Sequence, residues 1–84
     1  MAKVIKFSQE VCPKCDVLEQ VLEGLELAPN ETIVLTDDNK ELVAKYDIMG
    51  TPLMIAFDDE GNELARTSAY NQAGQIMDFF EVVQ

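Results

Sequence analysis

At 84 residues the chain has room for one small domain, and a single unit over 1–84 is expected. Apolar residues make up 48% of it, enough for a packed core and too many for a disordered polymer. Sixteen acidic against six basic side chains give a formal charge of −10, which argues against a nucleic-acid partner and leaves a solvated acidic surface, or docking to basic protein surfaces, as its meaning. Without histidine the chain has no Ser-His or Cys-His pair for hydrolysis, and no apolar run approaches membrane-spanning length. Lys3 and Lys6 interrupt the start too early for a secretory leader, so a cytoplasmic location is expected.

The first element is a short β-rich stretch, Lys3-Val4-Ile5-Lys6-Phe7. It is followed by Val11-Cys12-Pro13-Lys14-Cys15, which holds both cysteines of the chain. Pro13 suits the first position of a helix, where the missing N–H has no partner to lose. The local order is therefore strand, loop, Cys-x-x-Cys, helix, which in a cytosolic chain reads as a thiol–disulfide redox motif. A free cysteine with a pKa of ~8.5 is mostly protonated at neutral pH, and the reactive species is the thiolate. A helix N-terminus favours that anion, and the Lys14 ammonium adds to the effect. Cys12 is then expected as an exposed N-cap thiol and nucleophile, with Cys15, one turn deeper, as the resolving thiol. A static disulfide, a pair of metal thiolates or two inert cysteines are the alternatives.

Val17, Leu18, Val21, Leu22 and Leu25 recur at helical spacing, with the stop between Gly24 and Leu27 and a turn at Pro29-Asn30. Thr32–Thr36 reads as a buried strand, parallel to the first because a helix separates them. Asp37-Asp38-Asn39 offers N-caps for a short helix over Lys40–Tyr46. Gly50-Thr51-Pro52 breaks the chain before the apolar strand Leu53–Phe57. The cluster 58–62, with Gly61 free to turn left-handed, predicts a hairpin into Glu63–Thr67. Asn71 is the expected cap of a last helix whose apolar face is Ile76, Phe79, Phe80 and Val83.

This order, with Cys12-Pro13-Lys14-Cys15 after the first strand, Gly50-Thr51-Pro52 before the third and the Gly61 hairpin, resembles the thioredoxin-like superfamily over nearly the whole chain. The segment from Ala69 to Ile76 also resembles the start of a thioredoxin's last helix. The extra N-terminal strand and helix of a full-length thioredoxin are missing, which leaves a glutaredoxin-sized core. The resemblance implies an α/β fold, β1-α1-β2-α2-β3-β4-α3, with a four-stranded mixed sheet in the order 2-1-3-4. It also implies a cis Thr51–Pro52 bond, a Thr51 backbone that pairs with the substrate chain, and a substrate surface of Val11, Ile48, Met49, Thr51, Pro52 and Ser68. The activity implied is reduction of protein disulfides by a Cys12/Cys15 dithiol, with no bound cofactor and no metal. A flavoprotein of the thioredoxin-reductase kind is the expected reductant and disulfide-containing proteins are the substrates, ribonucleotide reductase among them by family analogy, with the protein acting as a monomer.

Glutathione is the alternative reductant, since proline follows the first cysteine in many glutaredoxins. Against it, Ser8-Gln9-Glu10-Val11 lacks the cation that glutaredoxins place before that cysteine, and Thr67-Ser68-Ala69-Tyr70-Asn71 lacks their Gly-Gly-Asp element. Glu10 would repel anionic glutathione. Lys6 occupies the position where thioredoxins bury an aspartate, and two roles are open to it. It favours the thiolates or takes the proton of Cys15, or its stem merely covers apolar surface while the ammonium reaches water; the second is preferred. A dimer-bridged zinc or iron–sulfur site and a non-catalytic interaction protein remain as other functions.

Overall fold

The computed structural model describes residues 2–83. Strand β1 (Lys3–Ser8) is the strand around which the sheet is laid, because both its edges are paired. On one side it runs parallel to β2 (Glu31–Val34), with Ile5 opposite Glu31 and Ser8 opposite Val34. On the other it runs antiparallel to β3 (Leu53–Phe57), with Lys3 opposite Phe57 and Phe7 opposite Leu53. Strand β4 (Glu63–Thr67) completes the order β2-β1-β3-β4 as the antiparallel neighbour of β3, with a bulge between Ala56 and Phe57. This is the architecture and strand order that the resemblance implies.

Alternation along β1 divides the core in two, since successive side chains point to opposite faces of a strand. Val4 joins Leu18 and Leu22 of α1 (Pro13–Leu25), Met54 and Ala56 of β3, and Ile76, Phe79 and Phe80 of α3 (Ala73–Glu81). Ile5 and Phe7 pack on the opposite face with Ile48, Leu53, Ile55 and Phe57, against Leu42 of α2 (Lys40–Lys45) and Tyr46 just after it. Tyr46 lies between the rings of Phe7 and Phe57, with centroids 5.7 and 5.5 Å away. Helices α1 and α3 thus cover one face and α2 the other, and every residue of β3 is buried.

Helix α1 ends at Leu25, inside the expected window from Gly24 to Leu27; the left-handed residue is Glu26 (φ 58°), where Glu26 N–H donates to Glu23 C=O and Leu27 N–H to Leu22 C=O. Three local expectations need correction. Strand β2 is shorter than expected and is an edge rather than a buried strand, with only Ile33 half-covered. Its β-branched composition reflects pleat geometry without burial. Thr36, beyond β2, caps a 3₁₀ turn at Asp37–Asn39: its Oγ1 accepts from Asp38 N–H while its own N–H donates to Asn39 Oδ1 at 2.6 Å. Helix α2 then begins with no side-chain cap, and α3 begins after Gln72 rather than Asn71, also with none.

The hairpin between β3 and β4 forms as expected, with Gly61 at φ +88°. Asp58 holds it: its carboxylate accepts from the backbone N–H of Glu60 and Asn62 and from the Asn62 side-chain amide. Those donors, Asn62 first, lower its pKa from the ordinary value, so the stability it contributes is present above the unfolded carboxylate range and lost as pH falls through the folded value. In urea titrations at about pH 6 and about pH 3, Asp58→Asn should therefore show a smaller acid-induced fall in midpoint than the parent chain. Among the described residues, no helix is long and apolar enough to cross a membrane.

Candidate active site

The two cysteines meet at the point where β1 hands the chain to α1. Cys12 is the N-cap of α1, extended at φ −150° and ψ 90°, and Pro13 opens the helix as its first residue. Cys12 Sγ accepts from the Cys15 N–H at 3.1 Å, and its carbonyl accepts from Asp16 N–H at 3.1 Å. The helix thus directs one of its otherwise unpaired N–H groups at the sulfur, an arrangement that stabilises negative charge there. The sulfurs are joined in a disulfide, with 5.2 Å between the Cα atoms. Cys15 is 3% exposed, on the inner face of the helix with Leu18 and Leu22. Cys12 is the more accessible of the pair, though half-buried rather than exposed as expected.

Thr51 comes up beside Cys12 because β3 begins next to the end of β1, where Leu53 pairs with Phe7. The Thr51–Pro52 peptide bond is cis and Pro52 is buried. Thr51 Oγ1 lies 3.6 Å from Cys12 Sγ and donates a hydrogen bond to Gln9 Oε1 at 2.8 Å. Val11 (89% exposed), next to Cys12 in the chain, and Met49 (91% exposed), two residues before Thr51, add exposed apolar side chains near this centre. Ile48 does not join them; it is buried against Phe7 and Leu53, because the turn after α2 points it into the core.

A groove of about 470 Å³ runs along Met49, Gly50, Thr51 and Pro52 to Ser68 and Tyr70. Ser68 is thereby brought into one groove with Lys14 and Thr51. Lys14 lies over the Tyr70 ring at 5.5 Å from its centroid, a cation–π contact that lays its stem along the groove. Arg66 also lines it, but its guanidinium is held by both carboxylate oxygens of Glu63, at 2.7 and 2.8 Å. That hydrogen-bonded pairing holds the Glu63 carboxyl below its ordinary range. A second hollow of about 350 Å³ opens on the other side of Met49, Gly50 and Thr51, between Gln9, Val43 and Lys40.

Lys6 is where the preferred expectation fails. It is 3% exposed, on the α1 face of β1, and its ammonium does not reach water but bonds Glu19 Oε1 at 3.2 Å. Glu19 is one helical turn beyond Cys15, so the pair lies behind the motif, against the same helix. The one signal for Glu19 in the sequence is its i,i+4 spacing from Cys15. Gln9 was passed over, since a polar loop residue announces nothing without its partner Thr51. Among the described residues, no group of three or more Cys, Asp or Glu side chains is arranged to hold a metal ion.

A disulfide at a helix N-terminus, flanked by a cis-proline loop on a β2-β1-β3-β4 sheet, defines a thioredoxin-fold protein with a Cys-Pro-Lys-Cys site. Comparison with known proteins agrees. A thioredoxin-like protein derived from the SPbeta prophage of Bacillus subtilis, YosR, is 29% identical over 68 residues, spanning 81% of this chain and 82% of that one. Among solved structures, a thioredoxin from Fasciola hepatica superposes with a TM-score of 0.70 at 25% identity, over 95% of this chain and 79% of that one. A mutant thioredoxin from Halobacterium salinarum gives 0.72 at 21% identity, over 99% and 75%. No family model matches the chain. Fold and disulfide together support thiol–disulfide oxidoreductase chemistry in general.

Proposed function

We propose that the protein reduces disulfides in other proteins by cycling Cys12 and Cys15 between dithiol and disulfide. The observation that carries this is the placement of Cys12 Sγ at the helix N-terminus beside Thr51, with the exposed Val11 and Met49 close to them in the chain. In the dithiol form the Cys12 thiolate attacks one sulfur of the target, the target S–S bond breaks, and the departing thiolate takes up a proton. Cys15 then loses its proton and attacks Cys12 Sγ, which releases the second target thiolate and leaves the Cys12–Cys15 bond. Two protein thiols are oxidised as one target disulfide is reduced, and an external dithiol restores the starting state.

Val11, Met49 and the groove by Ser68 are the surface on which an extended target chain would lie, with the Thr51 backbone pairing to it. Glu10 beside the motif and a formal charge of −10 disfavour anionic glutathione as the reductant and favour a flavoprotein dithiol donor. With dithiothreitol as electron source, the protein should accelerate precipitation of reduced insulin, and Cys12→Ser should fall to the uncatalysed rate. Equal rates for the two proteins would end this proposal. Offering the oxidised protein glutathione with its reductase, or a thioredoxin reductase with NADPH, assigns the donor.

A further inference from the structure

Thr51 Oγ1 has one proton and two neighbours that can accept it. In the disulfide form Cys12 Sγ carries no hydrogen and is a weak acceptor, and the hydroxyl donates to Gln9 Oε1 at 2.8 Å with the sulfur 3.6 Å away. Reduction changes one of these acceptors and leaves the other as it was. The Cys12 thiolate is an anion, and a hydrogen bond to a charged acceptor is roughly twice as strong as a neutral one. The same hydroxyl is within reach of it by rotation about a single bond.

We propose that Gln9 is a positioning residue for the exchange reaction: it competes with the Cys12 thiolate for the Thr51 hydroxyl proton, and so keeps that thiolate less stabilised than the site otherwise allows. The inference rests on Cys12 being the exchange thiol and extends that reading to a residue that never touches the substrate disulfide. Its chemical consequence has a definite sign. A thiolate that must share its donor is the stronger nucleophile and belongs to the stronger reductant, because intrinsic nucleophilicity falls as the anion is stabilised. A fully committed Thr51 hydroxyl would make the dithiol form easier to reach and the protein a poorer donor of electrons.

Nothing else on the structure competes for this proton among the described hydrogen bonds. Gln9 is exposed and lies in the loop between β1 and α1, with Thr51 as its only described side-chain partner. Its truncation therefore removes one hydrogen bond without opening the core. The remaining donor to Cys12 Sγ, the Cys15 N–H, belongs to the helix and stays in place.

A double-mutant cycle on Gln9→Leu and Thr51→Val tests the proposal with the full chain and no substrate. Two readouts are taken: the pH midpoint of the ultraviolet thiolate absorbance, and the equilibrium of the Cys12–Cys15 disulfide with a reference dithiol. In Gln9→Leu the midpoint should move to lower pH and the equilibrium should shift about threefold towards the reduced protein. In Thr51→Val both should move the opposite way, the equilibrium by about tenfold. The double variant should match Thr51→Val alone, since without the hydroxyl Gln9 has nothing to compete for. A Gln9 effect that persists in the Thr51→Val background would overturn the proposal. So would a Gln9→Leu midpoint that rises, which would mean that the amide supports the hydroxyl rather than drawing it away. Failure of the disulfide to equilibrate with the dithiol in the parent protein would instead strike at the function proposed above.

Discussion

Cys15→Ser should turn a catalyst into a trap. With the second thiol replaced by a hydroxyl, Cys12 can still open the target disulfide, but nothing is left to displace the first target sulfur from it. The expected product is a stable mixed disulfide between Cys12 and a cysteine of the target, visible as a mass shift that a dithiol reverses. Turnover in the insulin assay should fall towards the background rate, as is expected for Cys12→Ser, and when the target is offered without dithiol only the Cys15 variant should accumulate the adduct. The asymmetry follows from burial: Cys15 lies against Leu18 and Leu22, where a protein-sized partner does not reach, and Cys12 is the accessible sulfur. Normal release of reduced target by Cys15→Ser would remove the resolving role from that residue.

The second large effect concerns stability and has opposite signs for the two members of one ion pair. Lys6 is buried and its ammonium bonds Glu19, which is itself 65% exposed. Glu19→Leu strands the ammonium in the core without its carboxylate. Breaking a buried pair costs about 3–5 kcal/mol, and the exposure of Glu19 brings the expectation down to about 1–3 kcal/mol. Lys6→Met instead removes the charge together with its need for a partner, and fills similar volume beside Val4 and Leu18. It should be neutral or stabilising by about 1 kcal/mol or more. For a chain of this size each kcal/mol moves Tm by about 4–8 °C, so thermal melts of the two variants should lie on opposite sides of the parent or with Lys6→Met on it. A Lys6→Met variant that melts as low as Glu19→Leu would show that the ammonium is needed for folding in its own right.

How far the sequence could be read follows from what kind of signal each feature leaves. The order of elements was legible because each strong segment carries its own period: the alternation of β1, the three-four spacing of α1, and the unbroken apolar run of β3. The placement of Cys12 at a helix start was legible from Pro13 alone. Burial of β2 was not, because β-branched residues suit a pleated strand whether or not anything covers it, and coverage depends on which strands end up at the sheet margin. The end of α1 was legible as a window from Gly24 to Leu27, but the residue within it was not, because a glutamate at φ 58° gives no warning in the sequence. Lys6 was misjudged for a related reason. A lysine between two valine- or phenylalanine-type neighbours is normally a snorkelling side chain, and only the fold places Glu19 over it.

The pairing of β1 with β3 also separates the molecule into a working end and a free one. Phe7 and Leu53 mark the end that holds sulfur, whereas Lys3 and Phe57 mark the far end, where the 58–62 hairpin turns. Four steps of extended chain put about 13 Å between them. A dye, a surface tether or an affinity handle joined at Glu60 would therefore hang from the side opposite the chemistry, and an immobilised molecule would still present its cysteines outward.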